Sequence, residues 1–382
     1  MRLTGAKCQR SRACESIFSR SETPRRSGIP NKSALLLTFE AAEVDPSWRN
    51  PSPAIYLLIA AVPHIGYGNF QREERDGSLS GGGARLQVGQ PVTTARQIGI
   101  AGLGLLGSAL AHRLLTNGFS PKGYDIDAAK VAAFAKAGGT AAPLEGVARC
   151  DVVLLAVFDT SQVEDVVENA VLPALTPGVP KIVLCASTCD PDRIAALVAK
   201  IAPLGLSMIE TPVSGSSGQV RNGDGVGLTG GDRDIIDGVA DIIDAIYPKW
   251  FYMGPTGNGG RAKLAINHLL GLNRLVLAEG LVFAERLGLD PRSFLDVAKQ
   301  SAAYSQVMDI KGPKMVSGDY TPQGFIHQSL KDFRLILEQA GKRGQDMPLA
   351  LLNAEVLAAC VNNGEAERDN SAVIEEIRRR KT

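Results

Sequence analysis

Four groups of residues in this chain have types and spacings that could do chemistry. The first is Gly102-Leu103-Gly104-Leu105-Leu106-Gly107, directly after the apolar run Gln97-Ile98-Gly99-Ile100-Ala101. Glycines so placed between a strand and a helix allow a tight bend, close approach of a pyrophosphate to the backbone, and close packing of helix on strand. The helix start then offers unpaired N–H groups and a positive dipole end to phosphates. Asp125 falls at the end of the next expected strand, where a carboxylate accepts ribose hydroxyls and repels a 2′-phosphate. No arginine follows it to hold an extra phosphate, which favours NAD over NADP while leaving NADP possible. Gly102, Gly104, Leu105, Leu106, Gly107 and Asp125 are thus the expected contacts of a dinucleotide. Each signal is weak alone; strand, three glycines, helix, second strand and terminal acid together are specific.

The second group is Ser214-Gly215-Ser216, after Glu210-Thr211-Pro212-Val213. Its backbone N–H groups and hydroxyls can form a nest for a carboxylate, although an ordinary loop has the same composition. The third is Lys263 and Asn267, four apart and so on one helical face. An amine beside an amide can move a proton and hold an oxygen, but a lysine in a mostly apolar helix is ordinarily a snorkelling side chain. The fourth, Lys331-Asp332, is a surface ion pair in most proteins. The six cysteines include no Cys-x-x-Cys pair, and Cys185 and Cys189 have no second pair to complete a zinc site, so no metal is expected.

These groups need elements to position them. The chain has 382 residues, 45% hydrophobic and 21% charged, enough for two domains with cores of their own. A formal net charge of +1 argues against a nucleic-acid partner. No run reaches the ~18 apolar residues of a membrane span. Residues 1–95 differ from the rest: rich in Arg, Ser, Pro and Gly, they suit a disordered extension, an organelle targeting segment, or a stretch upstream of the true start. A cytoplasmic protein is expected, or one of an organelle matrix if that segment is a transit peptide. From Arg96 strands and helices alternate, the mark of a parallel α/β sheet. Strands are expected at 97–101, 121–125, 151–157, 181–185, 207–210, 225–229 and 250–253. Helices are expected at 105–117, 128–137, 161–170, 191–202 and 233–245. After Gly254-Pro255 the pattern is all-helical: 259–287, 291–302, 305–315, 325–342, 347–363 and 366–380. The boundaries read as an extension (1–95), a Rossmann-type doubly wound sheet domain (96–256) and an all-α C-terminal domain (257–382). The long helix at 259–287 is a natural contact for a second copy.

In this order the motifs resemble those of the β-hydroxyacid dehydrogenase family, which includes 3-hydroxyisobutyrate dehydrogenase and tartronate semialdehyde reductase. They are the glycine turn, Ser187-Thr188 before Pro191, Pro212-Val213-Ser214-Gly215, Gly257-x-Gly259-x-x-x-Lys263-x-x-x-Asn267, and Lys331-Asp332. The resemblance runs from Arg96 to the C-terminus. It implies a 6-phosphogluconate dehydrogenase-like architecture and reversible hydride transfer between nicotinamide and a small hydroxy acid. It further implies catalysis by Lys263 with Asn267, a substrate carboxylate on Ser214, Gly215 and Ser216, cofactor contacts from Val157, Phe158, Thr188 and Lys331, and a homodimer or homotetramer. Ser216 replaces a common glycine and His268 a common asparagine, suggesting a more polar pocket. Two rival readings are a non-catalytic NAD(P)-binding interaction module and an imine reductase-like enzyme; members of both kinds usually lack the lysine.

Overall fold

The computed structural model describes residues 96–380; the expectations for residues 1–95 fall outside the described residues. The first part alternates strand and helix: β1 Ile98–Ala101, α1 Leu105–Thr116, β2 Lys122–Tyr124, α2 Ala128–Lys136, β3 Thr140–Ala141, α3 Leu144–Ala148, β4 Val152–Leu155 and α4 Thr160–Val166. It continues with β5 Lys181–Cys185, α5 Pro191–Ile201, β6 Leu206–Glu210, β7 Val213–Ser214, α6 Ser217–Asn222, β8 Val226–Gly230, α7 Arg233–Gly238, α8 Ala240–Ile246 and β9 Lys249–Gly254. Helices alone follow: α9 Asn258–Arg286, α10 Pro291–Gln300, α11 Gln306–Ile310, α12 Gly312–Ser317, α13 Ile326–Gly341, α14 Pro348–Asn362 and α15 Val373–Arg379.

The strands form one sheet in the order β3-β2-β1-β4-β5-β6-β8-β7, with β9 paired to β8. From β3 to β6 every pairing is parallel. The run of buried aliphatics in β1 and β4 explains why: helices cover both faces, so no strand needs a polar side. Ile98, Ile100 and Leu154 pack under Leu110 and Leu114 of α1 and Ile242 and Ile246 of α8. Val153, Leu155 and Val183 face the opposite layer, with Ile194 and Leu197 of α5. A separate core joins Leu277 and Leu281 of α9 to Phe333 of α13 and Leu357 of α14.

The structure departs from the expected pattern in four places. β8 runs antiparallel to both β6 and β7, so the sheet is mixed at that end. The expected helix at 233–245 is two helices broken at Val239, straight after Gly238. That at 305–315 divides at Lys311, because Pro313 cannot donate into a continuous helix. The last helix is shorter than 366–380: a 3₁₀ turn at Asn370–Ala372 precedes α15. The short elements β3, α3, β7 and α6 carry too few residues to show a period in sequence.

Candidate active site

Strand order reverses between β1 and β4, and there the sheet opens into a cleft of about 1280 Å³ that extends to α9 and α13. A reversal of this kind is where open α/β sheets bind ligands. The cleft is lined by all the expected site residues except Gly107.

The three glycines do three separate jobs. Gly102 has a φ of +93°, and a Cβ on it would lie 2.4 Å from the Ala156 carbonyl oxygen. Gly107 is a packing glycine set back from the cleft: its Cβ would stand 1.9 Å from the Gly102 oxygen. Gly104 is different, because nothing lies within 4 Å of a Cβ built there. It is also the N-cap of α1 and supplies no side-chain cap, whereas α2, α4, α5, α7 and α10 are each capped by an aspartate. The open space and uncapped N–H groups fit the phosphates of a dinucleotide. Asp125 lines the same region, but its carboxylate is partly engaged. Oδ2 accepts from Leu103 N at 2.7 Å and Oδ1 from Asp127 N at 2.9 Å. It therefore braces the glycine turn and keeps lone pairs for ribose hydroxyls. Ile126, the next residue, is 90% exposed, and Lys130 Nζ lies 3.8 Å from Asp125 Oδ1.

Ser214 ends β7 and Gly215 follows with a φ of +143°. Ser216 then caps α6. Its Oγ accepts from Gln219 N at 3.3 Å, while Gln219 Oε1 accepts from Ser216 N at 2.9 Å. That capping box accounts for a serine in place of glycine: the hydroxyl starts a helix, and the expected gain in pocket polarity is correspondingly reduced. His268 does not add polarity either. It is absent from the cleft lining and packs beside Phe333, ring centroids 6.1 Å apart. One residue on from Asn267 is about 100° round the helix.

Lys263 is 8% exposed and donates from Nζ to the Val213 oxygen at 2.6 Å. It does not snorkel to bulk water; it is tied to the strand that leads into the Ser214 turn. Burial lowers its ammonium to about 8, against an opposing pull from Asp332. Asn267 Nδ2 donates to Asp332 Oδ2 at 2.8 Å, fixing the amide one turn further along α9. Lys331 is no loose surface pair. Its Nζ donates to Thr188 O at 2.8 Å and Phe158 O at 3.0 Å, joining α13 to the loops after β5 and β4.

Two features escaped the sequence reading. Phe158, His327 and Phe325 form a row of rings beside the cleft, with neighbouring centroids 5.4 and 5.2 Å apart. Glu210, buried at the end of β6, accepts from Gly257 N and, at 2.9 Å, from Gly260 N. It fills the start of α9, and burial raises its carboxyl above the usual range despite those bonds. Both depend on contacts between residues far apart in the chain; the only local hint was an acid directly before Thr211-Pro212.

Comparison with known proteins agrees with this geometry. Residues 97–254 match the model described as the NAD binding domain of 6-phosphogluconate dehydrogenase. Residues 257–377 match that described as NAD-binding of NADP-dependent 3-hydroxyisobutyrate dehydrogenase. An L-threonate dehydrogenase of Cupriavidus necator is 32% identical over 285 residues, 73% of this chain and 95% of that protein. A probable 3-hydroxyisobutyrate dehydrogenase-like mitochondrial protein of Arabidopsis thaliana is 31% identical over 287 residues, 74% of this chain and 94% of that one. The crystal structure of a 3-hydroxyisobutyrate dehydrogenase from Salmonella typhimurium superposes with a TM-score of 0.68 at 27% identity, covering 73% of this chain and 99% of that one. No helix among the described residues is long and apolar enough to cross a membrane. The chain belongs to the β-hydroxyacid dehydrogenase family and is an NAD(P)-dependent oxidoreductase acting on CH–OH groups.

Proposed function

We propose that Lys263 moves the proton in reversible oxidation of a small hydroxy acid held between the Ser214 turn and Asn267. The observation that carries this reading is the buried Lys263 amine in the cleft, with its protonation balance drawn towards neutrality. A bound nicotinamide dinucleotide supplies the hydride acceptor or donor. Gly102, Gly104, Leu105 and Leu106 would hold its phosphates, Asp125 a ribose, and Val157, Phe158 and Thr188 the cleft wall, with Lys331 reaching across from α13. As a neutral amine Lys263 accepts the hydroxyl proton; as an ammonium it polarises the carbonyl and returns the proton. Asn267 orients the reacting oxygen, and Ser214, Gly215 and Ser216 hold the carboxylate, which selects the carbon presented for reaction.

NAD is the preferred cofactor in this reading, because the Asp125 charge opposes a 2′-phosphate and an exposed isoleucine follows it. We place the protein in the cytoplasm, or in an organelle matrix if residues 1–95 act as a transit peptide. A homodimer or homotetramer is supported by Leu269, Val276 and Phe283, spaced by seven along α9 and each more than half exposed. The test is a steady-state screen of L-serine, tartronate semialdehyde, L-threonate, 3-hydroxyisobutyrate and short 4-hydroxy acids with NAD and with NADP. Turnover of at least one, faster with NAD, is expected; no turnover across the panel with cofactor binding intact overturns the reading.

A further inference from the structure

The face of α9 that carries Lys263 and Asn267 continues through Leu270, Gly271 and Arg274, and all five line the cleft. Arg274 is 8% exposed, and its Nε has no hydrogen-bond partner among the described residues. A guanidinium stays charged at neutral pH, and burying one without hydrogen-bond partners is costly. Asp369 and Asp332 act on it only as neighbouring charges, and neither carboxylate makes a hydrogen bond or ion pair with it among the described residues. Asp369 accepts from Lys311 Nζ at 2.8 and 2.9 Å, from the Ser371 hydroxyl at 2.7 Å and from Gln323 N at 2.8 Å. Asp332 accepts from Asn267 at 2.8 Å and pairs with Lys331 at 3.1 Å.

Three further polar atoms of cleft residues, Gln323 Oε1, Asn370 Oδ1 and Asp332 Oδ1, are also buried without a hydrogen-bond partner among the described residues. They accept only O–H or N–H hydrogens. Asn267 and Arg274 are two helical turns apart, about 10 Å of rise. Long helical side chains lean back towards the N-terminus, which shortens that gap to the length of a small molecule.

We propose that Arg274 is a second anion anchor, and that the substrate is a hydroxy acid with a second carboxylate at the end remote from the reacting carbon and hydroxyls between. This rests on the hydroxy-acid reading above and narrows it to a substrate class. The planar fork of arginine matches a carboxylate with two parallel bonds. One guanidinium, with Asp369 and Asp332 close by, balances one negative charge. A phosphate dianion would draw no help from Lys311, which Asp369 already holds.

Equilibrium binding of unreactive acids to the cofactor-loaded enzyme reads the anchor without turnover. Glutarate and its monoamide, glutaramate, have the same shape and differ by one charge. Glutarate is expected to bind about tenfold more tightly. Arg274→Met collapses that ratio to near one, and Arg274→Lys retains part of it. The melting temperature of Arg274→Met stays level or rises, since an unanswered buried charge is removed; a marked fall would mark the arginine as structural and overturn the proposal. Equal affinities in the natural protein, or a preference that survives Arg274→Met, overturn it too. So does tighter binding of 4-phosphonobutyrate than of glutarate. Absence of hydroxy-acid turnover with an intact glutarate preference supports the anchor and defeats the catalytic reading instead.

Discussion

α1 and α9 both start in glycine-rich sequence, yet the first leaves its leading N–H groups without a side-chain cap, while the Glu210 carboxylate fills the start of the second. Gly104 faces open space; Gly259 and Gly260 are pressed against Glu210, with Cβ positions only 3.0 and 2.8 Å from its atoms. Glycine at a helix start therefore has two uses here. One makes room for an anion from outside, and the other makes room for an anion of the protein's own. The second arrangement fixes the base of α9 to the sheet and, through it, the placement of Lys263 against Val213.

The comparison can be broken most sharply at the lysine. Lys263→Ala is expected to lower kcat by about 10³-fold, the scale of a lost general acid–base group, while cofactor affinity measured by fluorescence titration stays within about twofold. A parallel loss of cofactor binding would mean that the two helix starts are not separate in function. Next come the two glycines of α1. Gly107→Ala sets a Cβ against backbone and should cost about 3 kcal/mol in chemical unfolding. Gly104→Ala should leave the unfolding midpoint in place yet weaken the cofactor by about 10- to 100-fold, because its methyl enters the phosphate approach. Equal effects at the two positions would contradict their different surroundings.

Titration gives a smaller and graded effect. With Lys263 near 8, kcat/KM for alcohol oxidation should rise about tenfold per pH unit below that value and level off above it. Carbonyl reduction, which needs the ammonium, should be level below about 8 and fall about tenfold per pH unit above it, and profiles flat from pH 6 to 9 contradict the assignment. The effect on stability has a definite sign. The folded protein binds fewer protons than the unfolded chain between about 8 and 10.5, so stability rises with pH across that window and carries the full cost of the buried ammonium below it. Smallest is Glu210→Gln, which keeps the shape and removes the charge at the start of α9. A loss of about 1–3 kcal/mol in stability and a several-fold fall in kcat are expected with cofactor affinity unaltered; a change in cofactor affinity alone would reverse the roles given to the two helix starts.

The parts of the molecule that obey local rules could be read in the sequence. The alternation from Ile98 to Cys185, the glycine turn and Asp125 are set by neighbours within a few residues, and they give the sheet its parallel core. Lys263 and Asn267 were readable as sharing a face, since four residues is one helical turn. The Val213 contact that buries Lys263 was not, because its partner lies fifty residues earlier in the chain. Glu210 escaped for the same reason. Ser216 has a second role that its neighbours in the chain do not announce: it lines the cleft, and its hydroxyl also closes a capping box with Gln219. Arg274 was invisible as a site residue because an arginine in a helix is ordinarily solvated, and only the tertiary packing shows it buried in the cleft with neither nearby acid bonded to it.

Where β8 meets α9, a Cβ on Gly230 would lie 2.6 Å from the Gly259 nitrogen, and one on Gly259 would lie 2.8 Å from the Leu228 oxygen. At this contact the sheet-bearing part and the helical part leave no room for a side chain on either surface. Such a joint restricts how the gene can be recombined. A hybrid that takes its nucleotide-binding part from one relative and its helical part from another must inherit Gly230, Gly259 and Gly260 as one block, with the acid at 210. A graft that separates them would put two individually sound parts together around a collision.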